Sequence, residues 1–423
     1  MRIIIWILII VSSVVVYLFI INIEQAQGQI IVKKRPILNI EMESLNSITY
    51  LNELRYATGL QRFINLDILE KSAQNHANYL IVNNISSHYE KLEKDKYTGD
   101  TVGDRAKYSG YKASYVSENL STGSRNYKES IDGLFSAIYH RFGFLDFKID
   151  TIGIGIAQNL DDRTKTAFVY NMGISSINKF CNQKSFKGRA DYIQGLCFDK
   201  SFKIKEKTYN EAVIIDQLLN GKIAIYPYAN QIDVPPAFFL EIPDPLPNHD
   251  VSGFPISISF DEDQFNALEL QSFRLYDSKN KEVTNTILYD HDSDINHYFK
   301  KYEFALFPLE RLNWDSEYSV EVKYLLDGNQ KKKNWHFHTR KFNEKLHTVT
   351  LENNRFNVKR GVSNIFYFKP TSPHDLIGDI IFPTSVNIEL IDRNTIRFTT
   401  FSDSPDEVKL DIDEHHILIK IEN

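Results

Sequence analysis

Cysteine is nearly absent from this sequence: 423 residues contain two, Cys181 and Cys197. Two are too few for a zinc ribbon, whose closed site takes four ligands of this kind. Basic excess is missing as well. Lysine and arginine total 49 against 55 aspartates and glutamates, a net charge of −6 with no long basic run, which excludes nucleic acid as an expected partner. No internal repeat is evident, which removes the solenoid and propeller architectures. What the chain has in quantity is tyrosine and phenylalanine, 23 and 28, a bias toward β-rich packing. With 42% hydrophobic and 25% charged residues most of it should fold, and its length implies more than one domain.

One apolar run is long enough to matter for a membrane. Ile3 to Ile21 is unbroken by charge behind Arg2, and a bilayer takes about 20 such residues to span. Residues 1–28 therefore read as a signal peptide or a single N-terminal membrane anchor, with a candidate cleavage after Gly28. No cysteine follows the run, which excludes a lipoprotein anchor. Arg2 and the N-terminal amine place that end in the cytoplasm and the rest outside it, facing the periplasm from the inner membrane or secreted. In such a compartment Cys181 and Cys197, about 16 residues apart, are expected to form a disulfide worth about 3 kcal/mol on the chain-entropy model.

The pattern of periods divides the remainder. Residues 40–175 mix a 3.6-residue period with two strand patterns, "TIGIGIAQN" and "KTAFVYNMG", so an α+β domain is expected there. Residues 176–233 form a connecting segment that holds the cysteine pair, and 234–249 form a Pro-rich linker that reads as a domain boundary. From 250 to 340 the period is two. Tyr318 opens a strand with Val320, Val322 and Tyr324 on one face, six residues after Leu312, in the manner of the tyrosine corner of immunoglobulin-like sandwiches. Residues 341–423 read as a small C-terminal all-β module.

Ile131, Leu134, Phe135, Ile138 and Phe142 recur with the spacing of one amphipathic helix. His140 falls off that stripe, in line with Ser136, Gly133 and Glu129, so it faces solvent or a cleft. His76 lies within the stripe of another helix, with Leu69, Ala73, Ala77 and Leu80, and is expected to be packed and hydrogen-bonded. His88, Glu118 and His140 are the polar residues that could bind a divalent metal such as Zn²⁺ or act as an acid/base group, provided the fold brings them together. "YDHDSDIN" spaces Asp290, Asp292, Asp294 and Asn296 like part of a calcium loop, but without its glycine and closing glutamate it reads as a solvated loop.

Five elements in order resemble the bacterial branch of the CAP superfamily, which takes in cysteine-rich secretory proteins, venom antigens and plant pathogenesis-related proteins. They are Asn52, Arg55, Gly59 and Leu60; Ser87 and His88; Asp104, Arg105, Gly110 and Tyr111; Glu118 and Asn119; and His140 and Arg141. The resemblance covers about residues 45 to 175 and implies an α-β-α sandwich with a central cleft. It places His88, Glu118 and His140 in that cleft, with Tyr139 and Asn119 beside them, and in some members such residues hold a divalent metal. The second glutamate of eukaryotic members has no match here: Glu129 is the nearest, and it reads as a solvated residue at a helix start. Tyr139 stands where a glycine is usual and would narrow the cleft or add a phenol to it.

The expectation is an extracytoplasmic CAP-domain protein of the cell envelope whose cleft binds a divalent metal, lipid or peptide while the β-modules position it. The alternatives are a metal-dependent hydrolase of an envelope or extracellular substrate and an adhesion protein. The membrane is the one partner implied, through the N-terminal segment if it stays uncleaved.

Overall fold

A strand sends alternate side chains to opposite faces, and in "TIGIGIAQ" the two faces differ in bulk. The computed structural model describes residues 27–28, 35–265, 267–378, 380–412 and 415–423, and it shows what each face meets. Ile152, Ile154 and Ile156 of the strand Thr151–Gln158 enter a core with Leu51, Ile131 and Phe135. On the other face a Cβ at Gly153 would stand 1.9 Å from the Glu70 nitrogen, and one at Gly155 2.1 Å from the Ala73 carbonyl carbon. The glycines let the helix Asp67–Asn83 lie with its backbone against the sheet. The partner strand Thr166–Gly173 divides likewise, with Phe168, Tyr170 and Met172 in the first core and Ala167 and Val169 against Ala73 and Ala77.

The sheet runs Ile64–Asn65, Thr151–Gln158, Thr166–Gly173, Val116–Thr122. The helices Ile40–Ala57, Tyr127–Ser136 and Ile138–Phe144 supply the apolar residues on its isoleucine side, completing an α-β-α sandwich. The expected single helix through His140 is two: Ala137, with ψ 118°, ends one and begins the next. Ile131, Leu134, Phe135, Ile138 and Phe142 are buried all the same, because the period is kept within each piece.

Arg55 is wholly buried and donates to the carbonyls of Gln61, Phe144 and Ile149. Asn52 clamps Phe63 through both its backbone N–H and its carbonyl. The opening motif is thus a device for closing loops whose carbonyls have no strand to pair with. Cys181 and Cys197 are disulfide-bonded.

Two further sheets make a sandwich. One orders Thr286–Tyr289, Glu303–Pro308, Ile256–Phe260 and Ile223–Tyr226; the other Leu268–Tyr276, Glu317–Leu326, Asn329–Thr339 and Gln231–Val234. Tyr318 is buried and its hydroxyl accepts the Asn313 N–H at 2.9 Å, closing the corner the sequence suggested. The core of this sandwich is continuous with that of the α-β-α layers, Phe135 lying 4.8 Å from Tyr226 between ring centroids. The Pro-rich segment accordingly separates no compact units. The division falls at Arg340: of the described residues, 35–340 form one unit and 27–28 with 341–423 the other. Prolines exclude a central strand but do not prevent burial, and Val234, Ala237, Phe238 and Leu246 are all in the core.

The second unit has its own core, including Val349, Phe366, Phe398, Leu410 and Ile419. Its sheets order Lys345–Val349, Ser363–Phe368, Thr395–Thr400, Val386–Asp392, and Gln27–Gly28, Ile380–Pro383, Glu407–Ile412, His415–Glu422, Arg355–Lys359. Gln27 and Gly28, the end of the segment read as signal or anchor, pair with Pro383 and Phe382. The apolar run itself lies outside the described residues; among those described, no helix is long and apolar enough to cross a membrane.

Candidate binding cleft

Glu118 sits in the strand Val116–Thr122 and points toward the helix Asp67–Asn83, into a site it shares with Arg105 and His88. Its side chain is 1% exposed. Arg105 Nη2 donates to Oε2 at 2.7 Å and His88 Nδ1 to Oε1 at 3.0 Å. The Asn171 amide, turned with its nitrogen to the carboxylate, donates to Oε2 at 2.9 Å and accepts from Ser72 Oγ at 3.0 Å. Burial pushes the Glu118 carboxyl up, but the His88 hydrogen bond and the Arg105 charge overcome it and hold the group below its ordinary range. The asparagine of the pair, Asn119, faces the opposite way on the strand and donates to the His140 carbonyl at 2.8 Å. It fixes the backbone that carries His140 instead of lining the cleft.

His76 is buried as expected, with Nδ1 on Glu90 and Nε2 on the Ser87 carbonyl, each at 2.9 Å. Arg105 also donates to the His88 carbonyl at 3.0 Å. The loop carrying His88 is therefore held from below by His76 and Arg105, while the imidazole itself stays 44% exposed.

His140 lies opposite, its ring 6.2 Å from that of His88 between centroids and inclined by 26°. Its partner is one the sequence did not reveal. Glu241, in the Pro-rich segment, has a side chain that is 0% exposed and accepts from His140 Nδ1 at 2.7 Å. The same oxygen takes the Tyr139 N–H at 3.0 Å and the His140 N–H at 3.3 Å, and Oε2 has no hydrogen-bond partner among the described residues. Glu129 is elsewhere: it accepts from the Arg125 backbone and side chain at its helix start. The second carboxylate thus comes from outside the α-β-α fold. The one sequence signal was an acid flanked by leucine and isoleucine in "FFLEIPDP".

Tyr139 does not open into the cleft. Its hydroxyl donates to Asp294 and accepts from Asn296 Nδ2 at 2.9 Å, and burial with the Asp294 bond pushes the phenol far up. Asp294 is 1% exposed and also takes the N–H groups of Tyr298 and Phe299. The segment read as a solvated loop therefore has its third aspartate buried at a joint, where it organises backbone N–H groups. Arg141 makes a second joint. It donates to Phe135 O, to Pro255 O at 2.7 Å and to Ser257 Oγ at 3.2 Å, lying over the rings of Tyr226 and Phe254. Burial lowers its guanidinium to about 9.

Each cleft imidazole thus has Nδ1 on a buried carboxylate. In the neutral ring the proton then sits on Nδ1 and the lone pair on Nε2, and neither Nε2 has a protein partner among the described residues. Imidazole nitrogen suits Zn²⁺, and the Glu241 carboxylate behind His140, its Oε2 without a hydrogen-bond partner among the described residues, adds negative charge to that side of the cleft. Among the described residues no three His, Cys, Asp or Glu side chains are gathered as a metal site.

An α-β-α sandwich with two carboxylate-backed histidines across a cleft defines a class of protein, and the comparisons place it. Residues 48–172 match the model of the Cysteine-rich secretory protein family, CAP, so this part of the chain is a CAP domain. Among solved structures it is similar to an extracellular protein containing an SCP domain from Bacillus anthracis str. Ames, at 16% identity over 33% of this chain and 45% of that one, with a TM-score of 0.29. It is also similar to an outer surface protein from Borrelia burgdorferi, at 22% identity over 32% of this chain and 96% of that one, with a TM-score of 0.29. The match therefore takes in less than half of the Bacillus anthracis chain. No curated protein matches the sequence.

Proposed function

We propose that the chain is an extracytoplasmic binding protein of the cell envelope, and that its CAP cleft takes the ligand on Nε2 of His88 and His140, directly or through a divalent cation such as Zn²⁺. The observation that carries this reading is the buried carboxylate behind each ring, which sets the tautomer and orientation as the outer partners of metal-binding histidines do. Binding is favoured over hydrolysis by two facts. A hydrolytic zinc site takes three protein ligands, and the described residues gather no such set. Ser136, one turn before His140, gives its hydroxyl to the Gly133 carbonyl at 2.7 Å and so does not serve the imidazole.

The Cys181–Cys197 bond suits an oxidising compartment, and the Ile3–Ile21 run, if retained, tethers the protein to the inner membrane. The sandwich acts as the positioning element, since it carries the acceptors of Arg141 and Tyr139. The test is zinc titration by calorimetry beside the His88→Ala and His140→Ala variants. Stoichiometric binding lost in both variants supports one shared site. Binding that survives either substitution, or none in the parent protein, overturns the cation route and leaves only direct binding of a ligand to the two imidazoles.

A further inference from the structure

Away from the imidazole cleft, a cavity of about 470 Å³ opens beneath the helix Glu206–Leu219. Its size is that of small-molecule sites, roughly 300–1,000 Å³. Phe147, Ile174 and Ile177 of the α-β-α layers form one wall, Tyr209 and Val213 of the helix form the other, and Asp216, Asp261 and Asp263 stand at its edge with a single cation, Lys148.

The charges do not cancel. The Lys148 ammonium is taken by Glu262 at 3.1 Å and Asp263 at 3.2 Å. Asp261 is held by the Asp263 N–H and the Gln264 amide. Asp216 has only a long bond from Ser176 Oγ, 3.4 Å, among the described residues. Burial and the nearby Asp150 push its carboxyl up, as expected of an anion facing an anion with no cation to answer it. The helix is a loose wall: none of its residues is buried, and Ile215, Leu218 and Leu219, which do not line the cavity, are exposed.

We propose that this cavity binds an organic cation with an apolar, ring-sized body, its ammonium group on Asp216 and its body between Phe147, Ile177, Tyr209 and Val213. Aromatic walls serve such a ligand twice, through burial and through attraction of the cation to the ring faces. An anion of the same shape is refused by the three aspartates. The site involves neither cleft histidine.

The test is titration of the full chain with three probes of one shape: 2-phenylethylammonium, 2-phenylethanol and 3-phenylpropionate. Expected are saturable binding of the ammonium, binding of the alcohol at least tenfold weaker, and none of the carboxylate. Asp216→Asn should cost the ammonium at least tenfold and erase its advantage over the alcohol, with the melting temperature kept. Val213→Trp, which fills the cavity, should abolish binding of both. His140→Ala should change nothing. Equal binding of ammonium and alcohol, full affinity in Asp216→Asn, loss in His140→Ala, or no binding of any probe overturns the proposal.

Discussion

Glu118 and Glu241 do the same work from opposite sides, and they differ in what else depends on them. Glu118 faces buried Arg105 at 2.7 Å, with Glu90 the next carboxylate at 3.9 Å, so Glu118→Gln takes away the nearer of two anions and should cost about 1.5–3 kcal/mol in denaturant unfolding. Its folded carboxyl lies below the ordinary 4.5. The stability it contributes is therefore complete above that value and is lost as pH falls through the lower folded value, a loss the Gln variant should not show. Among the described residues Glu241 accepts only from the Tyr139 and His140 N–H groups and from His140 Nδ1. Glu241→Gln should leave the fold intact and weaken zinc binding about 10–100-fold by calorimetry, the usual effect of removing a ligand's outer partner. His88, Glu118 and His140 were legible because they sit in ordered motifs with chemistry-bearing side chains. Glu241 was not, since its role depends on a path of the chain that no local period encodes.

At the scale of elements, what was legible was what repeats. The glycine–isoleucine alternation announced the strand Thr151–Gln158, and it fixes a strict requirement: Gly155→Val drives a side chain into the Ala73 backbone, and the expected result is a chain that fails to fold, seen as loss of near-ultraviolet circular dichroism. Tyr318 announced its corner for the same reason, by alternation followed by a fixed offset. The break at Ala137 was not legible, because the apolar stripe runs across it without a phase change and alanine favours helix. Most of the family motif proves to be joinery: Asn52 and Arg55 tie loops, Asp104 accepts the N–H of the helix cap Thr101, and Tyr111 takes the Ile174 N–H.

Across the whole molecule, two units with separate cores should melt separately. Calorimetry is expected to show two transitions, and Arg141→Ala, which abandons the Pro255 and Phe135 carbonyls, should lower only that of residues 35–340. The same unit carries a pH dependence of opposite sign to that of Glu118. Burial raises the Glu303 carboxyl to about 7. The folded state then binds more protons than the unfolded one between about 4.5 and 7, and stability falls as pH rises through that window. Glu303→Gln keeps an acceptor for the Lys300 N–H and should flatten this slope, gaining roughly 1–3 kcal/mol at pH 8. The boundary expected at 340/341 is where the unit ends, whereas the prolines mark no such end, because a break in periodicity closes an element and a unit ends where packing ends.

Glu241 also bears on how such a protein can be recombined. The family match stops at residue 172, and a module exchanged at that seam would carry both imidazoles into a new host. It would leave behind the carboxylate that aims one of them, along with the acceptors of Arg141 and Tyr139. The heritable piece is therefore larger than the recognisable one, and a graft that preserves the cleft has to take the sandwich with it.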